Sequence, residues 1–402
     1  MGLRYKGAVI SATAPTITPP LGGAVGSASG IWTLEQQFQN AGNWPVISIN
    51  GQLWSWAANN SGQLGLGNIT NYSSPKQIGS LTNWSQISAG YQYGLSIKTD
   101  GTLWSWGDNI YGQLGLNNTT NYSSPKQVGA LTAWLKVSCG NYSTLSIKTD
   151  GTLWAWGNNS SGQLGTSNTT NRSSPVQVGA LTNWIKISSG NVQSLAIKAD
   201  GTLWAWGTNT SGELGLGDVA NRSSPNQVGT LTNWLQVSSG SYHSASVKTD
   251  GTLWSWGRND YGQLGLNNTT NYSSPKQVGA LTAWLQVGAS YSFTLAIKTD
   301  GTLWAWGRSG RGQLGLGNTI SYSSPKQVGA LTNWLQISCG VRFTMGIKTN
   351  GTLWAWGANS SGELGLNDLI DRSSPVQVGA LTTWILLSKT TSGYYGLAVK
   401  TP

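Results

Sequence analysis

Residues 95–107 read Leu95-Ser-Ile-Lys-Thr-Asp-Gly-Thr-Leu-Trp-Ser-Trp-Gly107, and this stretch decides the fold. An Asp-Gly pair flanked by alternating apolar residues is a strong short-range hairpin signal, because both residues tolerate the positive φ that a tight turn needs. A two-residue turn at Asp100-Gly101 sets Thr99 opposite Thr102, and counting outward sets Ile97 opposite Trp104 and Leu95 opposite Trp106. Those four side chains then share one face, with Leu103 and Ser105 on the other. Both faces are apolar enough to bury, so the sheet needs a neighbour on each side.

The neighbours are copies of itself. The same pair recurs as Asn50-Gly51, Asp150-Gly151, Asp200-Gly201, Asp250-Gly251, Asp300-Gly301 and Asn350-Gly351. The register breaks only at an insertion near Lys389, and Tyr111–Leu135 is identical to Tyr261–Leu285. A period of 50 residues means a propeller or a solenoid. Each unit has two further strands, one in 134–138 and one around 126–128 after Pro125, and proline at a strand start suits an edge. Six units can be cut between Asn83 and about Gly379. The strands left over, within 51–79 and 384–400, join as a seventh. The expectation is an all-β, seven-bladed β-propeller of four-stranded antiparallel blades over 44–402, with the Trp pair of one blade packed on the smaller side chains of its neighbour. Val46–Ile49 is a surplus copy of the second strand, and the sequence leaves open which copy enters the closing blade.

Composition narrows the function. The net charge is +10, yet seven lysines, from Lys98 to Lys400, fall one per repeat. An even ring of charge is not a nucleic-acid groove, so no nucleic acid is expected as partner. No apolar run reaches bilayer length, so no membrane insertion is expected. Cys139 and Cys339 occupy a position filled elsewhere by Ala or Ser, which offers neither a disulfide framework nor a metal site. Of the 23 tryptophans, 21 sit at three fixed positions per repeat, which marks them as core rather than as light sensors.

Catalytic inventory is thin. His243 is the single histidine, and the acids nearest in sequence, Asp250 and Asp260, form no triad pattern around it. The Gly-Gln-Leu-Gly-Leu-Gly string lacks the Lys-Ser/Thr ending and the helix of a phosphate loop. A non-enzymatic binding protein without cofactor or metal is expected.

Comparison of the repeats shows where they differ. The Asp-Gly end is nearly uniform, whereas variation gathers before the second strand and after the Trp-Gly of the third, which antiparallel order puts at one end of every blade. The first place supplies Tyr91, Tyr93, Tyr142, Tyr242, His243, Tyr291, Phe293, Arg342, Phe343, Tyr394 and Tyr395. The second supplies Asp108, Tyr111, Arg258, Asp260, Tyr261, Arg308 and Arg311. Tyr, Phe and Arg dominate interface energetics, so this face is the expected partner-binding surface.

The recurring Leu-Trp-Ser-Trp-Gly, Gly-Gln-Leu-Gly-Leu-Gly and Ser-Ser-Pro-Lys-Gln-Val strings resemble the regulator of chromosome condensation repeat family. That resemblance implies the seven-bladed propeller but not one activity, since the family includes exchange factors, ubiquitin ligase segments, photoreceptors and bacterial or viral binding modules. The repeats carry no inserted wedge and no basic tail of the kind expected of a chromatin-bound exchange factor. Residues 1–43 stand outside the repeat: an uncharged stretch at 12–30, then Thr33 and Gln36 as a capping box for a short helix from about Leu34 to Asn40. Lys6-Gly-Ala-Val-Ile-Ser-Ala-Thr-Ala-Pro, Ser-Gly-Ile-Trp-Thr-Leu-Glu-Gln-Gln and Gly-Asn-Trp-Pro45 look like the leader of bacteriophage tail and appendage proteins. This second resemblance implies a virion component. Its arm would dock on other virion proteins through Ile31, Trp32, Leu34 and Phe38, and its propeller would meet a host-surface protein or glycan. The alternative expectation is a cellular regulatory propeller that binds a signalling protein, such as a guanine-nucleotide exchange factor.

Overall fold

In the computed structural model, residues 51–390 and 393–402 are described. The expected arm, its helix, its docking residues Ile31, Trp32, Leu34 and Phe38, and the surplus strand at 46–49 lie outside them. The first blade consists of Trp84–Ala89, Tyr93–Lys98, Leu103–Gly107 and Tyr122–Gln127, hydrogen-bonded in that order. The second is Trp134–Cys139, Ser143–Lys148, Leu153–Gly157 and Arg172–Gln177, and the third is Trp184–Ser189, Gln193–Lys198, Leu203–Gly207 and Arg222–Gln227. Three more begin at Trp234, Trp284 and Trp334. The closing blade takes Trp384–Leu387 and Tyr395–Lys400 from the end of the chain and Gln52–Ala57 and Tyr72–Gln77 from its start. All pairings within these blades are antiparallel. The first strand of each blade is innermost: those of five successive blades surround a cavity of about 30 Å³ lined by Ser138, Ser188, Ser238, Gly288 and Ser338 among others.

The hairpin differs from its sequence reading by one residue. Lys98 N–H bonds to Thr102 O at 2.9 Å, and Gly101 N–H returns to Lys98 O at 2.9 Å. The turn therefore holds three residues, Thr99, Asp100 and Gly101, the last at φ +78°. This is the turn-plus-glycine alternative to the two-residue loop, and both suit Asp-Gly. The extra residue moves the second strand by one, so Ser96 faces Trp104, Gly94 faces Trp106, and Ile97 faces Leu103. A one-residue shift exchanges the faces: the tryptophans stand opposite small residues, and Leu95 and Ile97 join Leu103 on the reverse face.

That sorting builds the seams. The aliphatic face of one blade meets the tryptophan face of the next, so Leu95, Ile97 and Leu103 cluster with Trp134 and Trp156. Trp156 is fully buried. Its Nε1–H donates to Gln113 O of the preceding blade at 2.9 Å, and a Cβ on Gly115 would lie 2.8 Å from that nitrogen. Only glycine lets the loop backbone come so close to the indole. The same bond runs from Trp106 to Gln63, Trp206 to Gln163, Trp256 to Glu213, Trp306 to Gln263 and Trp356 to Gln313. Trp56 to Glu363 O, at 2.9 Å, closes the ring across 307 residues. Near the axis, a serine of one inner strand takes the N–H of the next, as in Cys139 to Ser88 Oγ and Ser189 to Ser138 Oγ. Beyond the closing blade, Lys389–Thr390 pairs in parallel with Trp84–Ala89. Both cysteines are free and buried, and burial pushes the Cys139 thiol up to about 12.

At the Asp-Gly end, Asp100 Oδ1 accepts from the Thr102 hydroxyl at 2.6 Å and Trp104 Nε1–H donates to that hydroxyl at 2.9 Å. Lys98 Nζ stands 3.7 Å from the centre of the Trp104 ring. The repeated lysines thus spend their charge on indole faces, which accounts for the even ring.

Two outcomes are expected at the closing blade. Removal of residues 384–402 takes away both inner strands and the Tyr395 pairing with Ala57, so denaturant unfolding should lose its single cooperative transition. Ala57 sits at φ +91° where the other blades place glycine, as at Gly107 with φ +101°; Ala57→Gly should raise unfolding stability by about 1 kcal/mol.

Candidate functional site

Antiparallel order brings the loop before the second strand beside the loop after the third, and Asp108 N–H bonds to Gln92 O at 2.8 Å. The two variable places therefore form one end of each blade. Asp108 and five further residues expected on that face are buried instead, and the five, Tyr93, His243, Phe293, Phe343 and Tyr395, are core. They open the second strand, where the side chain reaches toward the following blade. Tyr93 donates its hydroxyl to Ser143 O at 2.7 Å, and Tyr395 donates its own to Tyr93 O at 2.5 Å. Burial raises both phenols well above their usual range. Gln193, which the sequence reading passed over, does the same by donating to Gly240 O at 2.8 Å.

His243 repeats this link with a different chemistry. Thr294 Oγ1 gives its one hydrogen to Gln263 O at 2.8 Å, so the 2.9 Å contact between His243 Nε2 and Thr294 Oγ1 must be donated by the imidazole. Its Nδ1 is buried without a partner, and burial lowers the pKa of His243 from 6.5 to about 3, which keeps the imidazole neutral.

The remaining residues gather in two groups, the first of them half-buried. A row of tyrosines crosses three blades: Tyr394 to Tyr91 at 5.4 Å, Tyr91 to Tyr142 at 5.6 Å and Tyr142 to Tyr111 at 5.1 Å between ring centres. Burial raises the pKa of Tyr142 and Tyr394, helped in both by the Tyr91 hydroxyl and opposed at Tyr394 by the Arg342 charge. Ile110, 55% exposed, belongs to the same loop as Tyr111 and extends this apolar surface; its place in the variable segment was the available signal. Asp108 lies beneath, buried, accepting from Gln113 Nε2 at 2.9 Å.

The second group is cationic and aromatic. Arg258 pairs with Asp260 and lies 5.6 Å from the Tyr242 ring centre, which is 6.4 Å from that of Tyr291. Arg308 covers the Tyr261 ring at 4.8 Å. Arg311 is tied to Asp371 at 3.1 Å. Arg342 is exposed. No group of three or more metal-ligating side chains occurs among the described residues.

Acidification tests the His243 assignment. The folded pKa lies below the unfolded one, so the neutral imidazole's contribution is complete above pH 6.5 and is lost as pH falls toward 3. Over that window the wild type should lose up to about 1.4 kcal/mol per pH unit more than His243→Gln, which keeps a donor as Gln193 does. Parallel melting curves against pH check this; equal slopes would remove the histidine from the account.

The regulator of chromosome condensation (RCC1) repeat matches residues 50–97, 100–147, 150–197, 200–247, 250–297, 300–347 and 350–388. A second description of the same repeat matches six segments, from 84–113 to 334–363. Human WBSCR16 is 21% identical, with a TM-score of 0.78 over 87% of this chain and 99% of that one. Prp20p from Saccharomyces cerevisiae is 18% identical, with a TM-score of 0.79 over 92% and 95%. The same yeast protein bound to Kap60 gives 18% identity and a TM-score of 0.80 over 96% of each chain. At these identities the likeness concerns the fold. No curated protein matches the chain.

Proposed function

The chain belongs to the regulator of chromosome condensation repeat family, and we propose that it is a non-enzymatic module that binds a protein through its variable loop end. The observation that carries this is the half-buried row Tyr394, Tyr91, Tyr142 and Tyr111, in ring-to-ring contact across three blades. Its rings are already held in place, so a partner gains area without a large ordering cost. Exposed Arg342, whose charge acts on Tyr394, supplies charge beside it, Arg308 adds charge elsewhere on the same loop end, and an acidic protein surface suits them.

The fold relatives favour a protein partner in kind. The yeast structures concern binding of Prp20p to Gsp1p and histones, and its complex with Kap60. This supports the regulatory reading over the virion one. A virion role, with docking through Ile31, Trp32, Leu34 and Phe38 and a glycan or host protein at the loop end, rests on the leader alone; the chain's presence in purified particles would establish it.

Affinity capture with the full chain separates the faces. Tyr91→Ala with Tyr142→Ala, and separately Arg308→Glu with Arg342→Glu, should reduce retention of the same protein at least about tenfold. Leu131→Ser, at the exposed Asp-Gly end, should not. The arginine pair should leave the melting temperature unchanged. Equal retention by all variants would remove the loop end as the binding surface.

A further inference from the structure

The seven seams repeat one contact with one departure. The leucine after Gly-Gln-Leu-Gly packs on the partly buried tryptophan of the following blade, so Leu66 and Trp104, Leu116 and Trp154, Leu216 and Trp254, and Leu316 and Trp354 flank common clusters. Between the second and third blades the position is Thr166, and Trp204 packs there without a leucine. Beside it lies a groove of about 370 Å³, lined by Thr166, Leu181, Trp204, Pro225, Asn168 and Arg172, with Val178 on its wall. That size suits a small ligand.

A second departure coincides with the first. Where the outer strand starts with arginine, the third and sixth blades pair it with an aspartate four residues earlier: Arg222 with Asp218 at 2.5 Å, and Arg372 with Asp368 at 2.6 Å. The second blade also starts with arginine, Arg172, but the residue four before it is Asn168. Asn168 is engaged elsewhere, donating to Thr166 O at 3.0 Å. Arg172 makes no ion pair among the described residues, and its Nε is buried without a partner. A guanidinium lacking its carboxylate thus borders a groove lacking its leucine.

We infer that this seam binds a small molecule with a carboxylate on an apolar ring or chain. Asn168 fills the place that Asp218 and Asp368 hold in the sibling blades, so the carboxylate approaches Arg172 from the groove and supplies the charge that those aspartates supply, which the fork geometry of arginine matches. The apolar body fills the space of the missing leucine against Trp204, Leu181, Val178 and Pro225. The sibling blades point to a carboxylate rather than a phosphate, because that is the group they use to neutralise the equivalent arginine. This site is independent of the loop end and of the function proposed for it.

The test uses benzoate with the whole 402-residue chain, followed by isothermal titration, with inorganic phosphate as competitor. Thr166→Leu fills the groove, and Asn168→Asp gives Arg172 an internal partner. Each installs the residue that other blades already carry, and Thr166→Leu should raise the melting temperature. Benzoate should bind the wild type, and each variant should bind at least about tenfold more weakly, a change of 1.4 kcal/mol. Absence of binding to the wild type, equal binding to all three proteins, or displacement by equimolar phosphate would each overturn the assignment. Failure of the loop-end variants would not bear on it.

Discussion

The molecule depends on one contact made seven times: an indole lying on a glycine of the blade before it, with its N–H on the adjoining carbonyl. Trp156, Gly115 and Gln113 show its parts. The contact combines burial of a large apolar surface with satisfaction of the one polar atom that the ring carries. It needs a glycine below, a free carbonyl beside it and small residues, Ser146 and Thr144, opposite the two tryptophans of its strand. Those demands fix much of the repeat, and they explain why Leu-Trp-Ser-Trp-Gly and Gly-Gln-Leu-Gly recur together. The carbonyl also serves twice, since Thr144 Oγ1 donates to Gln113 O at 3.0 Å.

Because every seam is nearly alike, the loop end is free to differ. Its variation is of two kinds. At the first residue of the second strand, Tyr93, Gln193, His243 and Tyr395 span the seam by different hydrogen bonds, so the chemistry changes while the link persists. One residue earlier, Tyr142, Tyr242, Arg342 and Tyr394 escape burial and can address a partner. Buried and surface residues are therefore adjacent in sequence and alternate in direction, as strand geometry requires.

This alternation separates what the sequence disclosed from what it hid. Repetition, blade count, strand order and the joining of both chain ends could be read from the period and from the unpaired strands at each end. The register could not, because Asp100-Gly101 satisfies a two-residue and a three-residue turn equally, and one residue reverses the face of Leu95 and Ile97. The same uncertainty about direction placed Tyr93, Phe293 and Phe343 on the surface, since their variability resembles that of exposed neighbours. Conversely, the repeated lysines are legible as an even ring, but not as largely buried caps on Trp104 and its equivalents.

In a repeat protein the informative residues are those that break a rule the other copies obey. Glu213 and Glu363 stand where five copies have glutamine, and burial raises both carboxyl pKa values. Their backbone carbonyls still receive Trp256 and Trp56, so the seam tolerates the change. Thr166 is different, because the side chain at this position is itself the filler, and its shortening coincides with the groove beside Trp204. A lone shortened side chain would be a packing defect of the kind that costs stability in proportion to the space left. Coupled with an arginine deprived of its aspartate at the same seam, it becomes a volume and a charge that one ligand could satisfy together.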